Sequence, residues 1–537
     1  MEDYTTWGAA ALDQVTAPGH NNCFPWISQL PTELFTGILQ LSLPEFDIEL
    51  HSAPYSSHFR VKRCYILRSV TKRWQTIIEG TPSFWTTVVS TLPSYVNETS
   101  IIRSANLPIS IIYYHPGYTN PAHLLTEVEF LKIIQHSRPR WSAISLNLYD
   151  STAMVDYIGT PLPLLRTIIV RSVRPTSLAS EPLELLGGDT ANLRFVCFSG
   201  VSILCSAGHF VQLKCLTLKK VGRDGLRGPQ LLDTLRASPA LEVLNLKGIR
   251  AEVPPPSPTI PLHHLRCIKL RSCAIDLVVY ILQQIQAPSC TRLCLGIEDE
   301  PEFDVPHFLN ETLKPFHGML YTTHRQLRES TVLLDFGLFR WYTPSCSKME
   351  GFSIFIDCAL DPLCISWVDG ILQDESGLQI SFGRAGAFSE AVLRSVAPMR
   401  SVTKVLIRET WLGADNRTLL QFIGKPLPTG ASLPSLPYLK EIFLPFGGWK
   451  TQDLLEMVRS RFCALPWKDM EQTLLTINVP RGGFSWAGIT SPILDLATIV
   501  EIRKTSGVQC VKLSGSKDPV GMLAVTWNES CSQPVWV

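Results

Sequence analysis

Leu213-Lys-Cys-Leu-Thr-Leu-Lys219 and Leu241-Glu-Val-Leu-Asn-Leu-Lys247 are two copies of one pattern, apolar-x-x-apolar-x-apolar closed by a lysine. Its second half alternates as a strand does, sending successive side chains to opposite faces. Five more copies flank the pair: Trp141/Ile144/Leu146, Leu165/Ile168/Val170, Leu193/Val196/Phe198, Leu265/Ile268/Leu270 and Cys290/Leu293/Leu295. The seven starts lie 24, 28, 20, 28, 24 and 25 residues apart. Between them, runs such as Leu231-Leu-Asp-Thr-Leu235 and Leu277-Val-Val-Tyr-Ile-Leu282 predict helices, so each unit reads as strand, turn, helix. No unit can stand alone. Burying three aliphatic side chains yields roughly 5–9 kcal/mol, whereas ordering some 25 residues costs roughly 25–50 kcal/mol. Stacking lets every unit bury both sides against its neighbours, which predicts an α/β solenoid with parallel strands over residues 91–300.

The period is that of leucine-rich repeats, in an irregular form because the asparagine of the full signature is mostly missing. Over 301–350 the pattern blurs into Pro301, Pro306, Pro315, Pro344 and scattered charges, predicting an insertion or irregular repeats. It resumes over 351–515 at Gly351/Ile354/Ile356, Gly377/Ile380/Phe382, Val402/Val405/Ile407, Leu439/Ile442/Leu444, Leu474/Ile477/Val479 and Val508/Val511/Leu513. These units are 25 to 37 residues apart, and a separate α/β domain is the alternative for this half. Pro426 to Pro437 reads as a surface loop, and 516–537 as a capping strand or tail.

Ahead of the repeats, residues 1–24 have the composition of a mobile tail, and 25–90 read as a small helical module. In Ile27-Ser-Gln-Leu-Pro-Thr-Glu-Leu-Phe-Thr-Gly-Ile-Leu-Gln-Leu41, Pro31 suits the first position of a helix and Glu33 complements its dipole. Leu30, Leu34, Ile38 and Leu41 form one apolar stripe, and Phe35 and Leu39 a second beside it. A second helical segment carries Leu67, Val70, Trp74 and Ile77 or Ile78 on one face and stops at Gly80; Thr81-Pro82 then opens a third turn bearing Phe84 and Trp85. Three short helices bury too little surface to be secure alone, so the module should lean on a neighbour or a partner.

Leu30-Pro31, Glu33-Leu34, Ile38, Leu41, Leu67, Val70, Lys72-Arg73-Trp74, Pro82 and Trp85, in this order, resemble the F-box-like domains of fungal proteins. The resemblance covers about an eighth of the chain. An insert at about 43–63 departs from the family pattern, as does Thr71 where the family often has Cys. The resemblance implies a three-helix module that docks on the adaptor subunit of a cullin-RING (SCF-type) ubiquitin ligase, the rest of the chain selecting a client protein. Leu30, Pro31, Leu34, Ile38, Leu67, Val70 and Trp74 would form or support the adaptor surface. A scaffold that does not act in ubiquitylation is the alternative.

With 537 residues, 45% hydrophobic and 9% aromatic, the chain has ample material for a core. Its 48 basic and 47 acidic residues nearly cancel, which speaks against broad attraction to nucleic acid or membrane. The N-terminus lacks the features of a secretory signal, and no apolar run is long enough to span a bilayer, so the expected location is intracellular, cytoplasmic or nuclear. The 15 cysteines then read as reduced small hydrophobes, and the sequons at Asn97, Asn310, Asn416 and Asn528 as unused. No catalytic constellation emerges. Gly222-Arg-Asp-Gly-Leu-Arg-Gly228 has the wrong spacing for a dinucleotide turn, Gly483-Phe-Ser-Trp-Ala lacks the last glycine of a nucleophile elbow, and His-Glu-x-x-His is absent. His263, His264, Cys267 and Cys273, with Cys290 and Cys294, are the metal candidates, and no Cys-x-x-Cys supports them. The reading is a non-catalytic protein without metal or cofactor.

In each repeat, the residue after the last apolar position points away from the core. That column reads Arg171, Ser199, Lys219, Lys247, Arg271 and Gly296, with Lys269 and Arg292 on the same face by parity. With strands about 4.8 Å apart, Lys219, Lys247 and Arg271 predict a ladder of like charge. Arg171, Lys219, Lys247, Lys269 and Arg271 are therefore the candidate client contacts, suited to an acidic or phosphorylated segment; an ordinary solvated face is the alternative.

Overall fold

The computed structural model describes residues 29–43, 53–114, 125–148, 157–172, 191–201, 210–221, 228–250, 253, 258–297, 304–327, 330–335, 338–343, 351–357, 362–372, 375, 377–382, 390–407, 417–425, 435–444, 451–463, 475–480, 508–514, 523–526 and 535–536. Among the described residues the chain is mixed α/β, with 13 helices and an open, mostly parallel sheet. It divides into two compact units, Met1–Arg174 with Leu185–Asn192, and Pro175–Glu184 with Leu193–Val537. The expected N-terminal tail lies outside the described residues.

The first unit runs α1 (Thr32–Leu41), α2 (Ala53–Arg68), α3 (Lys72–Gly80), a 3-10 turn (Pro82–Trp85), β1 (Thr87–Val89), α4 (Ser94–Arg103), β2 (Ile109–Tyr114), α5 (Glu127–Ile134), β3 (Trp141–Leu148) and β4 (Thr167–Ser172). Strands β1 to β4 pair in chain order, all parallel. Phe35 and Leu39 of α1 pack with Leu43, Cys64, Ile77, Ile78, Phe84 and Trp85. The Trp85 indole N–H donates to the Ile78 carbonyl at 2.8 Å, so its one polar group is satisfied inside this cluster. A second cluster joins Val61 of α2 to Val89, Val96, Ile112 and Tyr114. The helices thus lean on the sheet, as their small size requires.

Two boundaries differ from expectation. Leu67 and Val70 do not share a helix with Trp74: α2 ends at Arg68, and Thr71 starts α3 afresh, its hydroxyl accepting from the Trp74 amide at 3.2 Å. That N-cap satisfies a donor that a continuous helix would have satisfied internally, which makes the break affordable. The expected insert is also partly helical, since α2 begins at Ala53. Glu79 ties the three helices that meet here, pairing with Arg68 of α2 and, at 3.4 Å, with Arg103 of α4.

In the second unit come β5 (Phe195–Ser199), β6 (Cys215–Lys219), α6 (Gly228–Ala237), β7 (Val243–Lys247), β8 (Ile260–Pro261), β9 (Cys267–Arg271), α7 (Ile275–Gln284), β10 (Ile285–Gln286) and β11 (Arg292–Ile297). Then follow α8 (Val305–His307), a π-helical turn (Phe308–Thr312), α9 (His317–Leu327), β12 (Ser330–Asp335), β13 (Leu338–Tyr342), β14 (Gly351–Asp357), α10 (Pro362–Leu372), β15 (Leu378–Phe382), α11 (Glu390–Val396) and β16 (Val402–Ile407). The remainder is α12 (Arg417–Gly424), β17 (Glu441–Phe443), α13 (Thr451–Cys463), β18 (Leu475–Pro480), β19 (Val508–Ser514), β20 (Leu523–Thr526) and β21 (Val535–Trp536).

Strands β5, β6, β7, β9 and β11 pair parallel in that order, with the template in register: Val196, Leu216, Leu244, Ile268 and Leu293 form one buried column, Phe198, Leu218, Leu246, Leu270 and Leu295 another. Helices fill the crossovers before β7 and before β11. The crossover before β9 departs from the expected strand-turn-helix: its described residues include the short strand β8, paired with β10, and its Val253-Pro-Pro-Pro-Ser-Pro258 sequence supplies neither the N–H groups nor the backbone freedom a helix needs.

Beyond β11 the order is β14, β13, β12, β15, β16, β17, β18 and β19, followed by β20 and β21. Strand β13 is antiparallel to both of its neighbours, so the irregular stretch before 351 holds a meander within a parallel sheet. The template at Gly351/Ile354/Ile356 is out of register by two residues, because Leu293 pairs with Phe352 and Leu295 with Ile354. Phe352, Ile354 and Ile356 alternate evenly, and a period of two cannot by itself choose between frames.

Candidate functional site

The first candidate surface is α1. Pro31 precedes the helix with extended backbone and leads into it with no side-chain cap. The Arg73 guanidinium donates to the Leu30 carbonyl and lies 5.4 Å over the Phe35 ring, fixing α1 against α3. With Phe35 and Leu39 turned inward, Leu34, Ile38 and Leu41, four and three residues apart, face outward, 60%, 49% and 86% exposed. Pro31 is exposed and so is Val70 in the break before α3, at 52%. Leu30, Leu67 and Trp74 are half-buried against the helical core, Trp74 edge-on to Phe35 at 5.2 Å. The seven expected residues therefore divide into four that face solvent and three that support them. Ile66, 53% exposed one turn before Val70, escaped the motif match. Its signal was an isoleucine beside a leucine in α2, where one of the two must face outward.

The second candidate surface is the sheet face of β5 to β11. Ser199, Lys219, Lys247, Arg271 and Gly296 are hydrogen-bonded register partners across five strands. A parallel column, Cys197, Thr217, Asn245, Lys269 and Cys294, lies two residues earlier in each strand. Each strand ends alike: Gly200, Lys220, Gly248 and Ser272 take φ between 49° and 68°. Their amides donate to the carbonyls of Lys219, Lys247, Arg271 and Gly296 on the next strand, at 2.6 to 2.9 Å. Arg171 belongs to the first unit, on β4 opposite Asn147. Its Nη2 is buried without a hydrogen-bond partner, and its charge opposes the upward push that burial gives the Tyr114 phenol.

The second unit also holds a cavity of about 530 Å³ lined by Pro306, Leu309, His317, Tyr321, Leu363 and Trp367 among others. His317 Nε2 is 3.2 Å from the Leu309 carbonyl and 3.2 Å from Trp367 Nε1, and it can donate to the one or accept from the other, not both. Burial holds the His317 pKa below its usual value. Ser366 also lines the cavity, and its lining residues include no Asp, Glu, Cys or Lys.

Among the described residues no three His, Cys, Asp or Glu side chains gather as metal ligands. Cys267 and Cys290 are buried, Cys290 and Cys273 donating to the Arg292 and Arg271 carbonyls at 3.4 Å, and burial raises the Cys290 thiol to about 12. Asn97 is wholly buried, its carboxamide bonded to both backbone groups of Val89. No helix among the described residues is long and apolar enough to cross a membrane.

No family model and no curated protein matches the chain.

Proposed function

We propose that the chain is an F-box-type substrate receptor of a cullin-RING ubiquitin ligase, non-catalytic itself, with leucine-rich-repeat-like strands presenting a client surface. The observation that carries this reading is the division of α1 into a buried stripe, Phe35 and Leu39, and an outward stripe, Leu34, Ile38 and Leu41. A helix that already has its core, yet presents three large aliphatic side chains in line, offers the aliphatic anchors that helical interfaces use. The ligase adaptor is the partner that the sequence resemblance implies for this stripe.

The test is reconstitution. Purified full chain, adaptor and cullin are mixed at micromolar concentration and resolved by size-exclusion chromatography. Co-elution of all three, and ubiquitin-chain formation on associated protein when the RING subunit and conjugating enzyme are added, is the expected result. A chain that elutes alone would remove the receptor reading and leave the interaction scaffold.

A further inference from the structure

Two glycines line the cavity of the second unit, and folding calls for neither. Gly318 lies in the first turn of α9 and Gly370 in the last turn of α10. Glycine weakens a helix relative to alanine, and its usual justification is a positive φ or a close approach of backbone. Neither residue has a positive φ, and a Cβ added to either would meet no heavy atom within 4 Å. Gly424 of α12 is the contrasting case, because a Cβ there would stand 3.0 Å from the Met457 carbonyl oxygen. What Gly318 and Gly370 share is the cavity, which opens to solvent where both are exposed. Two helices thus hold one space clear.

The polar groups of the wall do not balance, which is an independent observation. His317 Nε2 stands 3.2 Å from the Leu309 carbonyl and 3.2 Å from Trp367 Nε1. Burial disfavours the charged ring, and the neutral ring serves only one of the two. With a proton on Nε2 it donates to Leu309, and the Trp367 N–H needs another acceptor. Without that proton it accepts from Trp367, and the Leu309 carbonyl loses the donor. Both residues are buried, where an unpaired polar group is costly. The Tyr321 hydroxyl is already engaged by Glu375 at 3.0 Å, so Tyr321 offers the cavity its ring. His317 at 5.6 Å and Trp341 at 5.5 Å hold the Trp367 ring edge-on, so this wall is formed in advance. The π-helical turn Phe308–Thr312 brings Leu309 to the wall, and turns of this kind recur at functional sites. No Asp, Glu, Lys or Arg lines the cavity.

We propose that this cavity binds a neutral, flat aromatic lactam, its ring against Trp367 and Tyr321 and its amide edge at His317. A lactam carries N–H and C=O side by side, so it donates to Leu309 or accepts from Trp367 as the His317 tautomer requires. An ionic ligand would give up its hydration for a wall without a counter-charge. A ring with no polar edge would bury the unpaired group beside His317. The volume of about 530 Å³ falls within the range of small-molecule sites, about 300–1,000 Å³. Binding here is independent of the receptor reading.

The experiment titrates the full chain with 2-quinolone, a neutral two-ring lactam, by isothermal calorimetry. Quinoline-2-carboxylate, N-methylquinolinium and naphthalene keep the two rings and replace the lactam edge with an anion, a cation and nothing polar. The expected result is that 2-quinolone binds at least about ten-fold tighter than each of them. Bound 2-quinolone slows hydrogen exchange over His317 to Tyr321 and Ser366 to Ile371. Gly318→Leu and Gly370→Leu fill the cavity and weaken 2-quinolone about ten-fold or more. Their thermal midpoints stay level or rise, because leucine is the better helix former and meets open space. Lys214→Gln, which lies outside the cavity, leaves binding unchanged. No binding of 2-quinolone, a comparison compound that binds as tightly, slowed exchange only elsewhere in the chain, unchanged affinity in both leucine variants, or a lowered midpoint in both overturns the proposal.

Discussion

Replacing Leu34 with Asp, and in a second variant Ile38 with Asp, separates the docking stripe from the folding stripe of one helix. Leu34 keeps about two-fifths of its surface covered and Ile38 about half. Since full burial of such a side chain stabilises by about 1.5–3 kcal/mol, either change costs folding about 1 kcal/mol. At Leu34 an aspartate also sits in the first turn of α1, where the helix dipole returns about 0.3–1 kcal/mol. Phe35, 2% exposed and edge-on to Trp74, is the opposite case: Phe35→Ala should cost about 3–5 kcal/mol. If Leu34 and Ile38 are interface anchors, each aspartate weakens adaptor binding by about 2 kcal/mol or more, roughly thirty-fold. Calorimetry with purified adaptor reads the affinity, and hydrogen exchange at the α1 and α3 amides reads the fold. The expected outcome is lost affinity with protected amides for Leu34→Asp and Ile38→Asp, and lost protection for Phe35→Ala. Unchanged affinity in both aspartate variants would refute the two-stripe reasoning, and so would an α1 that melts when Leu34 alone is changed.

Three further outcomes are expected. Arg461 is buried and donates to the carbonyls of Ile423, Ser435 and Leu436 at 3.2, 2.6 and 2.7 Å; Arg461→Met takes this donor from the Ile423 and Ser435 carbonyls, while that of Leu436 keeps the Leu439 amide at 3.1 Å, and should destabilise the α12–α13 region by about 2–6 kcal/mol at about 1–3 kcal/mol per acceptor, seen as faster exchange of the Leu436 and Leu439 amides. Gly248→Ala, at φ of 64°, should cost about 1–2 kcal/mol in denaturant melts because a Cβ is disfavoured in that conformation. Burial raises the Cys64 thiol from 9.0 to about 11. The unfolded thiol ionises first, so the stability this site contributes is whole below pH 9, declines as pH rises and is lost through pH 11; Cys64→Ala should flatten that alkaline decline.

The repeat strands were legible because hydrogen-bond register and side-chain parity are both written in spacing. Leu216, Leu244 and Ile268 had to face one way, and Lys219, Lys247 and Arg271 then had to share the other face. Asn245 was legible by the same parity as a polar residue between two leucines, but its burial to 8% exposure is set by packing across the strands. The break at Ser69 to Thr71 was hidden for a different reason: Leu67, Val70 and Trp74 keep helical spacing across it, and only the Thr71 hydroxyl decides that a new helix begins. In α1 both stripes were readable, but which one is buried depends on Cys64, Ile77 and Trp85, residues far off in sequence. Near the meander, pattern failed because β12 pairs with β15, while the chain between them folds back through β13 and β14.

That meander bears on the order in which the second unit is made. Parallel neighbours such as β7 and β9 must wait for some twenty residues of crossover to close, whereas β12 and β13 are separated only by Phe336 and Gly337. Hairpins form in about 1–10 µs, ahead of pairings that demand long loop closures. The first lasting sheet contact in this unit should therefore arise at Val332 and Trp341, with β14 added next and the two parallel ladders growing from there in opposite directions. Pulse-labelled exchange during refolding would show protection spreading outward from β12–β13, toward β5 on one side and β19 on the other.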